Sequence, residues 1–389
     1  MEKLENAKGM QQSGKKGRLF SISKYAMLIE MVGIFILFEI LTKGIFLSSV
    51  NLSNLLLQGC TFSIMGIGMG WILISGGIDL SAGAVVGFLA NFAATMEVKF
   101  DMGAYGAIGL TLLIGIVIGF FNGYMISYRK IPAFITTLGS QLIFKGLTLL
   151  VGEGKARGPV SDVFSIYGRG FLPKPIGVAF VVVALLVFMI ITLRKRKARR
   201  KYGLEVRSLR IDLVVIIGVC AVTAGTMIIL MGYKGIAYAI VLLTVLSAIS
   251  TYVSENTIFG RSIYALGGNR EAAHLAGINV KLVEMLIYVS MGLINAIASI
   301  VFLGRVGQAT ATVGTNFEFN AITGCIVGGV STLGGTGSML GAVLGTMLMA
   351  SLENGMSLMN LDVIWQYIVK GMVLLIAVNI DVASKKNAD

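Results

Sequence analysis

One histidine, His274, and three cysteines, Cys60, Cys220 and Cys325, are all that this chain of 389 residues offers of the side chains that most often bind metals or cycle between redox states. The cysteines fall in apolar stretches and share no metal-type spacing, so they read as small hydrophobes and say nothing of redox compartment. With a single histidine, neither a histidine-based metal site nor a histidine proton relay is expected, and nothing implies a cofactor. Charged residues make up only 13% of the chain, against about 25% in soluble domains. Nucleotide-hydrolysing machinery is missing as well. The stretch GMQQSGKK (9–16) fits G-x-x-x-x-G-K, but Lys16 stands where Ser or Thr is needed, and no strand precedes it. There is no nucleophile elbow and no pair of carboxylates on one helix, and the polar loops are too short for a catalytic domain. The chain is not expected to be an enzyme. Energy for any work must come from a partner or an ion gradient.

What is present is apolar: 56% of residues are hydrophobic, and there are 50 glycines against four prolines. That composition belongs to polytopic membrane proteins, where small residues let helix backbones approach. A span needs about 20 mainly apolar residues. The sequence predicts twelve, at 26–47, 58–75, 82–96, 103–127, 133–151, 175–193, 211–231, 235–252, 283–303, 318–332, 335–353 and 363–381. The expected fold is therefore all-α, with a basic tail over 1–24, one transmembrane domain over 25–382 and a second tail over 383–389. Of 32 Lys and Arg, 22 fall at the N-terminus up to Lys24, at Arg129–Lys130, in 194–210, in 261–281 and at Lys385–Lys386. With the N-terminus inside and twelve crossings, all five regions are cytoplasmic, as the positive-inside rule asks, and both termini are too. The formal charge of +13 thus marks topology, not nucleic acid. RKRKARRK (194–201), flanked by two spans, reads as an anchor at anionic lipid headgroups. No removable signal peptide is read, and the first span serves as a signal anchor.

Two hydrophobic stretches are interrupted by glycine and polar residues: SGGIDLSAG (75–83) and GGVSTLGGTGS (328–338). Transporters use such breaks near the midplane to build substrate sites, while tight hairpins at the membrane surface have the same composition. Asp79 favours the first reading, because an ionisable residue inside a span is functional by default. It could equally cap the helix that starts at Ser81–Ala82. Glycines 115, 119 and 123, and again 337, 341 and 345, put a small-residue face on their helices. Trp71 and Trp365 read as interface anchors, and Glu39 and Lys43, four apart, as a pair on one helix face. FKGLTLLV (144–151) and VKGMVLLI (369–376) hint at an internal repeat.

One polar stretch stands apart from all this, RSIYALGGNREAAHLAGINV (261–280). Gly267–Gly268 ends what precedes it, and Asn269 is a favoured N-cap. Glu271 complements the positive helix end, Ala272 and Ala273 are helix formers, and Gly277 supplies the left-handed stop. The predicted helix is too short to persist alone in water, so it must dock, on its own protein or in a partner's groove.

Glu-Ala-Ala followed four residues later by Gly, in a cytoplasmic loop, resembles the coupling motif of permease subunits of bacterial ABC importers. FGRSIYALGGNREAAHLAGINV (259–280), SGGIDLSAG, RKIPAFITTLG (129–139), the Glu-Phe-Asn segment at 318–320 and ENGMSLMNLDVIWQYIVKGMVLLIAVNID (353–381) are similar to the monosaccharide branch, which includes ribose, galactose and xylose permeases. The resemblance covers nearly the whole chain. It implies a fold of the vitamin B12-importer type, a homodimer, a separate ATPase with two nucleotide-binding domains, and an extracytoplasmic sugar-binding protein. It also implies ATPase coupling through Gly267, Gly268, Asn269, Glu271, Ala272, Ala273 and Gly277, in a loop over 253–282. Candidate pathway residues are Gly76, Gly77, Asp79, Ser81, Asn122 and Glu318. A hairpin over 174–232 departs from ribose-type members and points towards xylose or mixed-monosaccharide permeases. Asn320 stands where the family usually has Asp, which makes it doubtful as a site residue. The alternatives are an ABC permease for nucleosides or branched-chain amino acids, and an ion-driven secondary transporter.

Overall fold

A computed structural model describes residues 30–203, 206 and 208–386. The basic N-terminal tail, the phosphate-loop-like stretch at 9–16 and the last three residues lie outside these. Among the described residues the architecture is all helix, with two isolated β-bridges, Arg157 to Ala309 and Phe171 to Ala237. In chain order the helices are α1 (30–41), α2 (Ser49–Ile74), α3 (Ala82–Val98), α4 (Ala104–Ser127), α5 (Ala133–Gly152), α6 (Asp162–Arg169), α7 (Lys174–Lys201) and α8 (Leu209–Met231). Then come α9 (Tyr238–Asn256), α10 (Ile258–Gly268), α11 (Arg270–Leu275), α12 (Val280–Val306), α13 (Phe317–Val327), α14 (Met339–Leu358) and α15 (Val363–Lys386). Eight of them, α2, α4, α5, α7, α8, α9, α12 and α15, are long and apolar enough to cross a membrane.

Helix α2 is the axis of the bundle and is almost wholly buried. It begins nine residues before the predicted span, because its polar first turns are satisfied inside the protein. Ser48 caps Asn51, and the Asn51 side chain donates to Asn354 Oδ1 of α14 at 3.0 Å. Helix α4 lies antiparallel on α12 along the predicted small-residue face. A Cβ on Gly115 would come within 2.6 Å of the Gly292 carbonyl, and one on Gly123 within 2.7 Å of the Met285 carbonyl. The glycines therefore serve intramolecular packing. Gly341 and Gly345 face α13 in the same manner, whereas Gly337 lies in a loop.

The connecting segments gather at two ends. At one end the carbonyl of Ile74 accepts the Gly335 N–H at 2.8 Å. Nearby, Trp71 donates to Ser254 Oγ at 2.7 Å, and Asp381 accepts from Ser331 Oγ and the Thr332 N–H. Trp71 is thus a buried tie between α2 and α9, and not the interface anchor its position predicts; Trp365 at the start of α15 is exposed. At the opposite end Lys99 pairs with Glu153, and the Arg157 N–H bonds the Ala309 carbonyl at 2.8 Å. The Lys99 ammonium, with Arg157 behind it, holds the Glu153 carboxyl below its ordinary range. Glu39, predicted to pair with Lys43, instead accepts the Leu47 N–H at 2.8 Å, since the chain turns at Lys43 (φ 52°). Helices α7 and α8 form a hairpin on the flank of the bundle with little of their surface buried.

For the 328–338 segment the structure favours the surface-turn reading over the midplane break. It lies at the same end as residues 74–77, bonded to them, so it is the end of a span and not a discontinuity at depth. The discontinuity lies one segment earlier. Helix α13 has 11 residues, about 16 Å at 1.5 Å per residue, half of a hydrocarbon core. Residues 307–316 run down beside α3 to reach its start. Asn91 of α3 donates to the Thr310 carbonyl at 2.9 Å, and a Cβ on Gly314 would strike the Gly83 carbonyl.

Candidate functional site

Two helix starts, those of α3 and α13, meet inside the bundle, each with a carboxylate. Glycines end α2: Gly76 takes φ +84°, and the Gly77 N–H bonds the Ile72 carbonyl at 2.9 Å. The chain then turns inward to Asp79. Its Oδ1 accepts the Ser81 N–H at 2.8 Å and the Ser81 hydroxyl at 2.6 Å, so the carboxylate satisfies the first turn of α3. From Ser81 the bonding continues across two helices. Asn122 Nδ2 donates to Ser81 Oγ at 3.2 Å, and Ser140 Oγ donates to Asn122 Oδ1 at 2.6 Å. All four side chains are buried. Asn122 is five residues from the end of α4 and Ser140 seven from the start of α5, so the chain lies about 8–10 Å in from the helix ends.

Glu318 occupies the first turn of α13 and is 1% exposed. Its Oε1 accepts Gln141 Nε2 at 2.7 Å, while its Oε2 has no hydrogen-bond partner. That free oxygen sits over Gly83, where any Cβ would collide with it. A buried carboxylate oxygen left open is costly unless something visits it. Tyr288 of α12 adds a second such group: its hydroxyl is buried and unpartnered, 3.0 Å from where a Gly77 Cβ would lie. The structure thus brings Asp79, Ser81 and Asn122 into one chain and sets Glu318 at the adjoining helix start. Gly76 and Gly77 line the neighbouring cleft.

Sequence reasoning missed Ser140, Gln141, Tyr288 and Lys145. Gln141 and Lys145 are four apart in an apolar span, a signal that was readable; Tyr288 offered none. Lys145 is exposed on α5, one turn beyond Gln141. Asn320 belongs to a different cluster. It donates to Glu353 Oε2 at 3.1 Å, beside Lys370, which pairs with the same oxygen at 2.6 Å, and Gln58 donates to Oε1 at 3.2 Å. An aspartate at 320 would face Glu353 as a like charge, so the amide suits this place.

The polar helix forms as its punctuation predicts. Asn269 Oδ1 accepts the Ala272 N–H at 2.9 Å. The helix, α11, stops at Leu275, and Gly277 takes φ +84° while the Ile278 N–H returns to the Ala273 carbonyl at 3.1 Å. Ala273 is buried and anchors the helix. Arg270 makes a two-pronged pair with Glu284 at 2.7 and 2.6 Å, and this acceptor holds the guanidinium above its ordinary pKa. Glu271, Ala272, Leu275 and Gly277 face outward, Leu275 81% exposed. Two predicted coupling residues, Ala273 and Gly267, therefore point into the protein, and Leu275 is the outward residue that sequence reasoning passed over. Between α11, residues 75–77 and the α4–α5 turn lies a cleft of about 970 Å³, with Lys130, His274 and Lys281 on its walls.

A bundle of long apolar helices with an interrupted span, an internal polar chain and a capped, exposed surface helix has the features of a membrane transport protein. The family described as branched-chain amino acid transport system / permease component matches residues 51–378. The xylose transport system permease protein XylH of Haemophilus influenzae is 37% identical over 366 residues, 94% of this chain and 98% of that protein. XylH of Escherichia coli K12 is 37% identical over 372 residues, 95% and 94% of the two chains. The galactose/methyl galactoside import permease protein MglC of the same strain is 32% identical over 371 residues, 92% of each. No solved structure matches. The chain belongs to this family of ABC transport permeases, in the group that holds the sugar-import members, and is a multi-pass membrane protein.

Proposed function

We propose that this chain is the membrane permease of an ATP-driven monosaccharide importer, with xylose as its foremost substrate. The observation that carries this is 37% identity along nearly the full length of xylose permeases. In this reading the chain crosses twelve times in a vitamin B12-type bundle with both termini cytoplasmic. Eight of the described helices are long and apolar enough to cross, and the distribution of Lys and Arg supports the orientation. A second copy of the chain completes the pathway. ATP is hydrolysed by a separate ATPase with two nucleotide-binding domains, and sugar arrives from an extracytoplasmic binding protein.

In this reading α11 docks in the ATPase through Asn269, Glu271, Ala272, Leu275 and Gly277, and the 970 Å³ cleft behind it opens to the cytoplasm. Sugar hydroxyls pass the two helix starts, where Glu318 Oε2 and the Tyr288 hydroxyl are free to bond them. Asp79, Ser81, Asn122 and Ser140 hold the start of α3 in register. Such contacts are few and weak, as suits a pathway that must release what it binds. Specificity rests largely with the binding protein.

The test is xylose uptake into proteoliposomes holding the permease, its ATPase and its binding protein. Expected is ATP-dependent uptake of xylose, with galactose and ribose lower. Uptake of leucine or a nucleoside in place of sugar would move the chain to another substrate class. Uptake driven by an ion gradient without the ATPase would make it a secondary transporter.

A further inference from the structure

Beneath α11 three backbone segments, distant in sequence, meet with almost no side chain between them. Ile74 and Gly76 finish α2, Gly267 and Gly268 finish α10, and Gly334 and Gly335 lie between α13 and α14. The Gly335 N–H donates to the Ile74 carbonyl at 2.8 Å. A Cβ on Gly267 would collide with that same carbonyl and come within 2.6 Å of the Gly335 nitrogen. One on Gly334 would come within 2.8 Å of the Gly267 carbonyl and 3.1 Å of the Gly76 nitrogen. Tyr264, nearly one turn before Gly267, donates its hydroxyl to the Gly337 carbonyl at 3.0 Å. Helix α10 therefore packs backbone against backbone on both glycine-rich segments that the sequence marks out, is tied to the second by the Tyr264 hydroxyl, and leads directly into α11.

Contacts through side chains can absorb a displacement by changing rotamer; backbone against backbone cannot, because close-packed interiors transmit strain. A shift of α11 carries α10 with it. Because the Gly267 backbone packs directly on the Ile74 carbonyl, it presses on the end of α2, two residues from Gly76 and five from Asp79. Through its packing on Gly334 and Gly335 and the Tyr264 bond to Gly337 it also moves the segment leading into α14. The Arg270–Glu284 pair fixes α11 to α12 on its other side, so movement of α11 has two outlets.

We propose that Gly267, Gly334 and Gly335, with Tyr264, form a positioning joint that delivers the movement of α11 to both glycine-rich segments at once. This rests on the coupling role given to α11 above. Gly267 acts here through the backbone it touches and not by contact with the ATPase. The joint makes the start of α3 and the entry to α14 respond together instead of in sequence.

The experiment uses the complete complex in proteoliposomes, with xylose as the probe, and measures ATP hydrolysis and sugar uptake side by side. Gly267→Ala is expected to assemble with the ATPase and keep basal ATP hydrolysis while uptake per ATP falls about tenfold, the scale of a typical coupling free energy. Gly109→Ala and Gly218→Ala, on helix faces with open space at the Cβ, should transport like the parent. Tyr264→Phe removes one hydroxyl and no volume, and should lower uptake per ATP severalfold. It decides the matter if Gly267→Ala fails to accumulate in the membrane. Parent-like uptake per ATP in Tyr264→Phe, or in an assembled Gly267→Ala, overturns the joint. Failure of the parent complex to take up xylose counts against the substrate reading alone; the joint is then judged on variant-to-parent ratios with whichever loaded binding protein stimulates the parent.

Discussion

Gln141 of α5 donates its side-chain amide to Glu318 Oε1 of α13 at 2.7 Å, across 177 residues of sequence, and leaves Oε2 of the same carboxylate open. One oxygen is held and aimed while the other is available, an arrangement suited to meeting a hydroxyl in transit. Hydrogen bonds to charged groups contribute about 1.5–3 kcal/mol. Gln141→Leu should therefore lower xylose uptake roughly tenfold by freeing the carboxylate to turn. Glu318→Gln should lower it at least as far, with ATPase assembly intact in both. Parent-like uptake by Glu318→Gln would take the carboxylate out of the pathway.

Asp79 carries two bonds from Ser81 and sits at the head of the Ser81–Asn122–Ser140 chain. Asn keeps an acceptor oxygen for the Ser81 N–H and caps about as well as Asp. If the negative charge matters to the sugar, Asp79→Asn cuts uptake while complex assembly and basal ATP hydrolysis persist. Full activity in that variant would assign Asp79 to capping alone.

Gly277 takes φ +84° with open space at its Cβ, so Gly277→Leu meets backbone strain of about 1–2 kcal/mol and adds bulk to the outward face of α11. Glu271→Lys reverses a charge beside Asn269. Both should insert and accumulate normally yet lose sugar-stimulated ATP hydrolysis severalfold. If both couple like the parent, α11 is not the contact with the ATPase.

Lys370 and Glu353 pair at 2.6 Å with about a fifth of each side chain exposed. Removing one partner of a buried pair costs about 3–5 kcal/mol, and removing both costs far less. Lys370→Met should thus lower the thermal stability of the purified permease by more than the double change Lys370→Met with Glu353→Gln. Equal losses would show that the two groups act independently.

For topology, a cysteine at Ala198 in a variant lacking Cys220 should resist membrane-impermeant thiol reagents in intact cells. The reason is the nine basic residues over 194–210, which make translocation of that loop unfavourable. Labelling from outside would reverse the orientation proposed for everything from α7 onward.

Local chemistry was enough for α11. Asn269, Glu271 and Gly277 act within four residues of the groups they satisfy, so their spacing alone named the cap, the first turn and the stop. Long apolar runs likewise placed α4, α5 and α8 to within two residues of their observed bounds at each end, because burial in lipid asks only for length and hydropathy. The resemblance carried by these motifs led to the right family. What only tertiary structure decided is which polar groups meet. Ser140, Gln141 and Tyr288 became site neighbours because α5 and α12 pack beside α3 and α13, and nothing near them in sequence encodes that. The second glycine-rich segment could be read as a break at depth or as a surface hairpin, since glycine and serine serve a surface turn and a buried interruption equally well. Its contact with Ile74 put it at the end of the bundle, and the true interruption fell before Phe317. Gly267, three residues before α11, turned inward for the same reason: backbone had to meet backbone there, and only a residue without a Cβ lets it.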